Sequence, residues 1–244
     1  MDTMREDLVK AVPALGHYPQ EPISTGTTLI AMEYEGGVVV GTDSRTSAGS
    51  FISSRVTNKI TPVTDHLVVC RSGNAADTQT IADIVKYHLE VYSMLENDKI
   101  SIYRATQIFR QFLYSYRDQL SASVLVAGWD EKLGGQLYAL PIGGFVTRQK
   151  STASGSGSTF VSGYLDRMWK PNMTKEECIK VVKEAVGLAT FRDGSSGGVI
   201  RIGVVDKDGT NITLYRPDGA DFPKIRPPAA YPSWPAHVEA KNNA

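Results

Sequence analysis

Cysteine is scarce, charge is balanced between the signs, and long apolar runs are missing, and each shortage removes a class of protein. Two cysteines, Cys70 and Cys178, stand far from any CxxC or His-rich spacing, so the sequence offers no metal-ligand pattern. They read as free, buried thiols of a reducing compartment, one in a strand over 66–70 and one in a helix over 175–189. Lys+Arg 26 against Asp+Glu 26 leaves no electrostatic signature of nucleic-acid or anionic-membrane binding. The N-terminal MDTMREDLVK lacks the continuous apolar core of a signal peptide, and no later stretch approaches a membrane span. The expectation is a soluble intracellular protein that binds neither nucleic acid nor membrane.

With 244 residues and 41% hydrophobic content, the chain fits one globular domain with tails, and its core needs no staples. Residues 1–26 contain proline and end in Ser24-Thr25-Gly26, which reads as a leader or loose arm. Strand alternation sets in at Thr27 and covers 27–34, 37–43, a short 50–54 piece, 55–60 and 66–72. Helical spacing follows the capping residue Asn74, with Ile81, Ile84, Val85, Leu89 and Tyr92 on one stripe. After Ser101 a second stripe carries Ile102, Ala105, Ile108, Phe109, Phe112, Leu113 and Tyr116. Strands return at 121–129 and 135–142, followed by a looser 143–153, a Ser154-Gly155-Ser156-Gly157 turn and a helix over 158–169. Thr174-Lys175-Glu176-Glu177 is a capping box for a helix over about 175–190. Two last strands, 199–205 and 211–216, are joined by Asp206-Lys207-Asp208-Gly209, and the Pro-rich 217–244 reads as an extended tail. Strands, two helices, strands, two helices, strands: this order suits an α+β fold in four αββα layers, two antiparallel sheets face to face with a helix pair outside each.

The chemistry centres on Gly26-Thr27, where strand character begins in mid-sequence. A cut between these residues gives Thr27 a free amine beside its own hydroxyl, and an amine with a pKa of about 7.7 to 8.0 serves as general base at neutral pH. Alternation places Asp43, Arg45 and Ser47 on one side of their segment and Thr57, Lys59 and Thr61 on one side of theirs. Lys59 then points inward and needs an anion, for which Asp43 is the candidate. A Lys59 cation near Thr27 lowers the pKa of hydroxyl and amine alike. Taken singly these pieces are ordinary: a strand start, an Asp-Ser-Arg-Thr turn, an edge lysine. Arg71-Ser72-Gly73 ends a strand just before a helix, where backbone N–H groups can hold an oxyanion, although alone it reads better as a tight turn. The Ser154–Gly157 and Asp193–Gly198 loops lack the lysine of a P-loop and the spacing of a dinucleotide fingerprint.

Together the motifs resemble a known family. Thr25-Gly26-Thr27-Thr28, GGVVVGTDSRTSAG, Val56-Thr57-Asn58-Lys59-Ile60-Thr61-Pro62, CRSGNAADTQ, SGSGS, MTKEEC and RDGSSGGVIR occur in this order between Thr25 and Tyr215. They resemble the beta-type subunits of the proteasome core particle, threonine peptidases of the N-terminal-nucleophile hydrolase fold. The resemblance implies that Thr27 is the nucleophile, exposed by autocatalytic removal of residues 1–26 as a propeptide, with Asp43 and Lys59 as the charge pair beside it. It further implies Ser156, Asp193 and Ser196 as polar support around the Thr27 amine, and the Gly73 amide as oxyanion donor. Ser47, Thr46, Thr57, Ala75 and Arg71 are the substrate-binding residues it implies, Ser47 through its main chain.

Arg71 occupies the position that lines the first specificity pocket, and the likeness is to the caspase-like subunit with acidic preference. A partly desolvated guanidinium favours Asp or Glu by a charge-assisted hydrogen bond. The implied setting is a stack of heptameric rings of alpha and beta subunits in cytoplasm and nucleus, taking unfolded polypeptides in ubiquitin-dependent degradation, with no cofactor and no metal. The competing expectation is a non-catalytic structural beta subunit of the same particle; a homomeric two-ring protease of this fold is a third. The joint presence of Gly26, Thr27, Asp43 and Lys59 speaks for the catalytic reading.

Overall fold

A computed structural model describes residues 26–96 and 99–225. Of the leader expected over 1–26 only Gly26 is among the described residues, and of the Pro-rich stretch only 217–225.

Strands β1 (Leu29–Tyr34) and β2 (Gly37–Thr42) pair as a hairpin through Glu35-Gly36. Their residues are apolar almost without interruption because both faces are covered. Leu29 and Ala31 enter the core between the sheets, whereas Ile30 and Met32 face helices. This hairpin is the centre of a five-stranded antiparallel sheet completed by β10 (Ser151–Ser154) on one side and β11 (Ile200–Asp206) and β12 (Gly209–Tyr215) on the other. The second sheet runs in chain order through β5 (Ile60–Thr64), β6 (Leu67–Gly73), β7 (Ala122–Asp130), β8 (Gly134–Leu140) and β9 (Thr147–Gln149). Leu29, Val38 and Val40 of the first sheet meet Val68, Leu125 and Leu137 of the second in the inner layer. A separate two-stranded ribbon, β3 (Thr46–Ala48) and β4 (Phe51–Ser54), stands apart from both sheets.

Helices close the two outer faces. Helix α1 (Ala75–Glu96) opens on Asn74, whose Oδ1 accepts the N–H groups of Ala76 and Asp77. Helix α2 (Ile102–Ser115) opens on Ser101, and the pair lays Val85, Leu89 and Phe109 on Val69, Val124 and Val126. On the first sheet lie α3 (Ser162–Met168) and α4 (Lys175–Arg192), the latter started by the Thr174–Glu177 capping box. Val182, Val186 and Ala189 of α4 pack against Ile30, Val39 and Ile202. The expected α+β, four-layer αββα sandwich is thus the observed architecture. Residues 217–225 turn back onto it, with Pro223 and Ile225 reaching Gly187 of α4.

Several local expectations are corrected. The strand expected over 55–60 is a bend and an irregular run, and β5 starts only at Ile60. Its carbonyls are taken by side chains instead of a ladder: Ser44 Oγ donates to Arg55 O, and the Arg201 guanidinium to Val56 O and Thr57 O. Thr57, Lys59 and Thr61 therefore do not share a strand face, and Asp43-Ser44-Arg45 is irregular as well. The helix expected over 158–169 is a 3-10 turn, Ser156–Phe160, followed by α3, because the Ser158 and Ser162 hydroxyls bond back to the Gly155 and Ser158 carbonyls. The looser 143–153 holds two short strands, between which Lys150 carries the chain from one sheet to the other. Ile84 and Tyr116, expected on the buried stripes, are exposed.

Phe109 is fully buried where α2 meets the second sheet, so Phe109→Ala is expected to lower stability by about 3–5 kcal/mol, read from the urea midpoint.

Candidate active site

The site forms where the irregular ends of the strands converge at one end of the sandwich. Thr27 stands two residues before β1 and is 2% exposed. Its hydroxyl donates to Gly26 O at 2.8 Å, and the Lys59 ammonium donates to the same oxygen at 3.0 Å. Lys59 also donates to Asp43 Oδ1 at 2.8 Å. The expected Asp43–Lys59 pair is therefore formed, although neither residue lies within a strand. Asp43 lies one residue past β2, fully buried, and its carboxylate accepts four donors. Thr28 N–H joins Lys59 on Oδ1, at 2.9 Å, while Gly197 N–H at 3.0 Å and Arg45 N–H at 3.1 Å occupy Oδ2. A buried carboxylate with this many donors is fixed in place. Burial pulls the Lys59 amine below its ordinary value, while Asp43 beside it acts in the opposite direction.

On the other side of Thr27 a second polar group hangs from one carboxylate. Ser156 Oγ accepts the Thr27 N–H at 3.1 Å and gives its single proton to Asp193 Oδ2 at 2.7 Å. Ser196 Oγ donates to the same Asp193 oxygen at 2.6 Å. That leaves Ser196 Oγ to accept from Thr28 Oγ1, 2.7 Å away. Burial pushes Asp193 up, yet the Ser196 and Ser156 hydroxyls and the Ser195 N–H outweigh it and hold the carboxyl below its usual value of 3.8. Gly26 packs so tightly on this loop that an added Cβ would collide with Ser195 Cβ. Only glycine fits before Thr27 without moving the loop.

Thr27, Asp43, Lys59, Ser156, Asp193 and Ser196 thus meet in one connected network around the Gly26–Thr27 peptide. Gly73, the last residue of β6, has a φ of 108°, a left-handed conformation suited to glycine. Gly155 lies between the Thr27 carbonyl and the Ser72 hydroxyl, so the end of β6 flanks the network. Of the expected substrate-binding residues, Arg71 is tied to the Lys59 segment, its N–H donating to Lys59 O at 3.0 Å. Arg71 Nε donates to Thr61 Oγ1 at 2.9 Å and its Nη2 to Asn58 O at 3.0 Å. Thr46 and Thr57 are joined through their hydroxyls at 2.8 Å, Ser47 is half-buried in β3, and Ala75 is exposed at the start of α1. Thr28, Ser44, Gly157 and Gly197 also hold the site, and sequence reasoning missed all four. Their partners lie far along the chain, as with Gly157 N–H on Thr27 O at 3.2 Å and Val199 N–H on Ser44 Oγ at 2.8 Å. Among the described residues no group of three His, Cys, Asp or Glu gathers as a metal site, and no helix is long and apolar enough to cross a membrane.

A family model described as proteasome subunit matches residues 23–205. Proteasome subunit beta type-6 of Dictyostelium discoideum is 48% identical over 203 residues, covering 83% of this chain and 94% of that protein. The chain belongs to the proteasome beta-subunit family. Proteasome subunit beta type-1 of Saccharomyces cerevisiae is 44% identical, with 80% of this chain and 91% of that protein covered. Proteasome subunit beta type-9 of Homo sapiens is 42% identical over 89% of this chain and 99% of its own length. A proteasome beta subunit assembles with other proteasome subunits in rings, so this sandwich is one member of a core particle.

The lowered Asp193 contributes stability above the ordinary Asp range, and that contribution is lost as pH falls through its folded value. Asp193→Asn is therefore expected to be less stable than the parent at neutral pH, with the gap closing below about pH 4. Thermal denaturation of both chains between pH 7 and 3 reads it; a gap independent of pH contradicts this role.

Proposed function

We propose that this proteasome beta subunit is a threonine-type endopeptidase that exposes its own nucleophile by cutting Gly26–Thr27. One observation carries the reading: the Gly26 carbonyl oxygen takes both the Lys59 ammonium and the Thr27 hydroxyl, 3.0 and 2.8 Å away. Lys59 polarises the bond to be broken, and the attacking hydroxyl already rests on it. Addition of Thr27 Oγ1 to the Gly26 carbonyl carbon and expulsion of the Thr27 nitrogen, which takes up the hydroxyl proton, moves the acyl group from nitrogen to oxygen. Water then hydrolyses the ester, releasing residues 1–26 and leaving a free α-amine.

The same atoms serve a substrate. The amine takes the hydroxyl proton as Thr27 Oγ1 attacks a peptide carbonyl, the Gly73 amide holds the oxyanion, and the leaving amine receives the proton. Water then attacks the acyl ester with the amine again as base. Ser156 and Asp193 orient that amine, and Lys59 with Asp43 keeps positive charge beside the reacting oxygen. Among the described residues β3 pairs with β4 alone, so its second edge is open to an unfolded peptide laid along Ser47 as an added strand. Arg71 meets the side chain before the cut and selects Asp or Glu. The relatives carry beta type-6, type-1 and type-9 names, so the preference rests on Arg71 itself. No cofactor enters these steps, and we place the subunit in cytoplasmic and nuclear particles.

Thr27→Ala is expected to retain residues 1–26 and to lose this subunit's cleavage after acidic residues by about a thousandfold or more, while still entering rings. Full activity on an acidic fluorogenic peptide sinks the mechanism. Arg71→Ala is expected to keep the processed N-terminus and lose the acidic preference, with kcat/KM for an acidic peptide falling by roughly tenfold or more against a neutral one. An unchanged ratio removes Arg71 from the pocket.

A further inference from the structure

We propose that Arg201 is a positioning residue that sets the separation of Asp43 and Lys59. Lys59 lies just outside β5 and is tied to a strand only by its own carbonyl, which accepts Arg71 N–H of β6 at 3.0 Å, while 55–58 ahead of it is a bend and an irregular run. Its neighbours Val56 and Thr57 are instead gripped by one guanidinium. Arg201 Nη1 donates to Thr57 O at 2.8 Å and Nη2 to Val56 O at 2.9 Å, a fork on two successive carbonyls. Among the described residues no carboxylate lies within 4.0 Å of this guanidinium, so no ion pair competes for the fork.

The backbone end of Arg201 matters equally. In β11 it pairs directly with Thr42 of β2, the residue before Asp43. One residue thus spans both halves of the charge pair: its main chain is registered to the strand that delivers Asp43, and its side chain holds the segment that delivers Lys59. Ser44 adds a second tie, donating to Arg55 O and accepting Val199 N–H at 2.8 Å, and Thr57 N–H returns to Ser44 O at 3.0 Å. Without the fork, Val56 and Thr57 lose two carbonyl partners in a half-exposed segment where water replaces them, and Lys59 can swing from the Gly26 oxygen. Lysine at 201 supplies one rotatable point charge and can satisfy one carbonyl but not both.

The inference rests on the catalytic reading above only for its kinetic consequence. The test replaces Arg201 by Ala and by Lys in the chain assembled into particles. Active sites are counted with a covalent threonine-directed probe, kcat and KM are measured on an acidic fluorogenic peptide, and the particle structure is solved. The expected result is a tenfold or greater loss of kcat per counted site in Arg201→Ala, a smaller change in KM because Thr57 and the Asn58 partner of Arg71 lie in the loosened run while Ser47 and Ala75 do not, partial recovery in Arg201→Lys, and a longer Lys59–Asp43 distance. Unchanged kcat per site with fewer sites assigns Arg201 to assembly alone and overturns the proposal. So does an unmoved Lys59, a readout that stands whether or not Thr27 is catalytic. Should Arg201→Ala fail to enter rings, Arg201→Lys carries the same two readouts.

Discussion

The Thr27 end of this sandwich is arranged around the buried Asp43–Lys59 ion pair. Two charges removed from water cost several kcal/mol each, and mutual attraction offsets that only where the remaining lone pairs and protons are also satisfied. Here they are. Asp43 has two donors on each oxygen, and Lys59 divides its ammonium between Asp43 and the Gly26 carbonyl. Such a pair cannot be solvated by accident or displaced cheaply, so the segments that bring it together have to be held by something other than strand ladders.

The fold supplies that hold by ending its strands early. β2 stops at Thr42, β5 begins at Ile60 and β1 begins at Leu29, leaving 26–28, 43–45 and 55–59 irregular around one point. Several of their carbonyls and amides are satisfied by side chains from other parts of the chain: Ser156, itself held by Asp193, for the Thr27 amide, and Ser44 and Arg201 for the carbonyls of 55–57. Regular layers give the site rigidity, and irregular ends give it geometry. The mature chemistry proposed for Thr27 needs both, because a nucleophile and its base within one residue act only if the amine, the hydroxyl and the neighbouring cation keep their places.

Most of the layer order was legible in the sequence, because short apolar runs and the 3.6-residue period are local properties that burial enforces, as with LIAMEY, GVVVGT and the stripe from Ile102 to Leu113. Asp43 and Lys59 were legible too, but through motif resemblance and the demand of a buried lysine for an anion; the strand alternation offered for Lys59 was not the cause. The run 55–60 shows why. Val56-Thr57-Asn58-Lys59 has strand composition, yet its hydrogen bonds go to Ser44, Arg71 and Arg201, and residues so distant leave no periodic trace. The Ser156–Phe160 turn failed for a related reason, since serine hydroxyls compete locally with the helix ladder. Thr28, Gly157 and Gly197 contribute through backbone or hydroxyl bonds that no spacing encodes.

The central claim is that the Gly26–Thr27 bond is cut so that Thr27 becomes the first residue. The direct measurement is the intact mass and N-terminal residue of this chain isolated from its native particle. The account predicts a chain that begins at Thr27 and has lost the mass of residues 1–26. A chain in mature particles that still carries those residues would contradict it, leaving Thr27 blocked and the subunit structural.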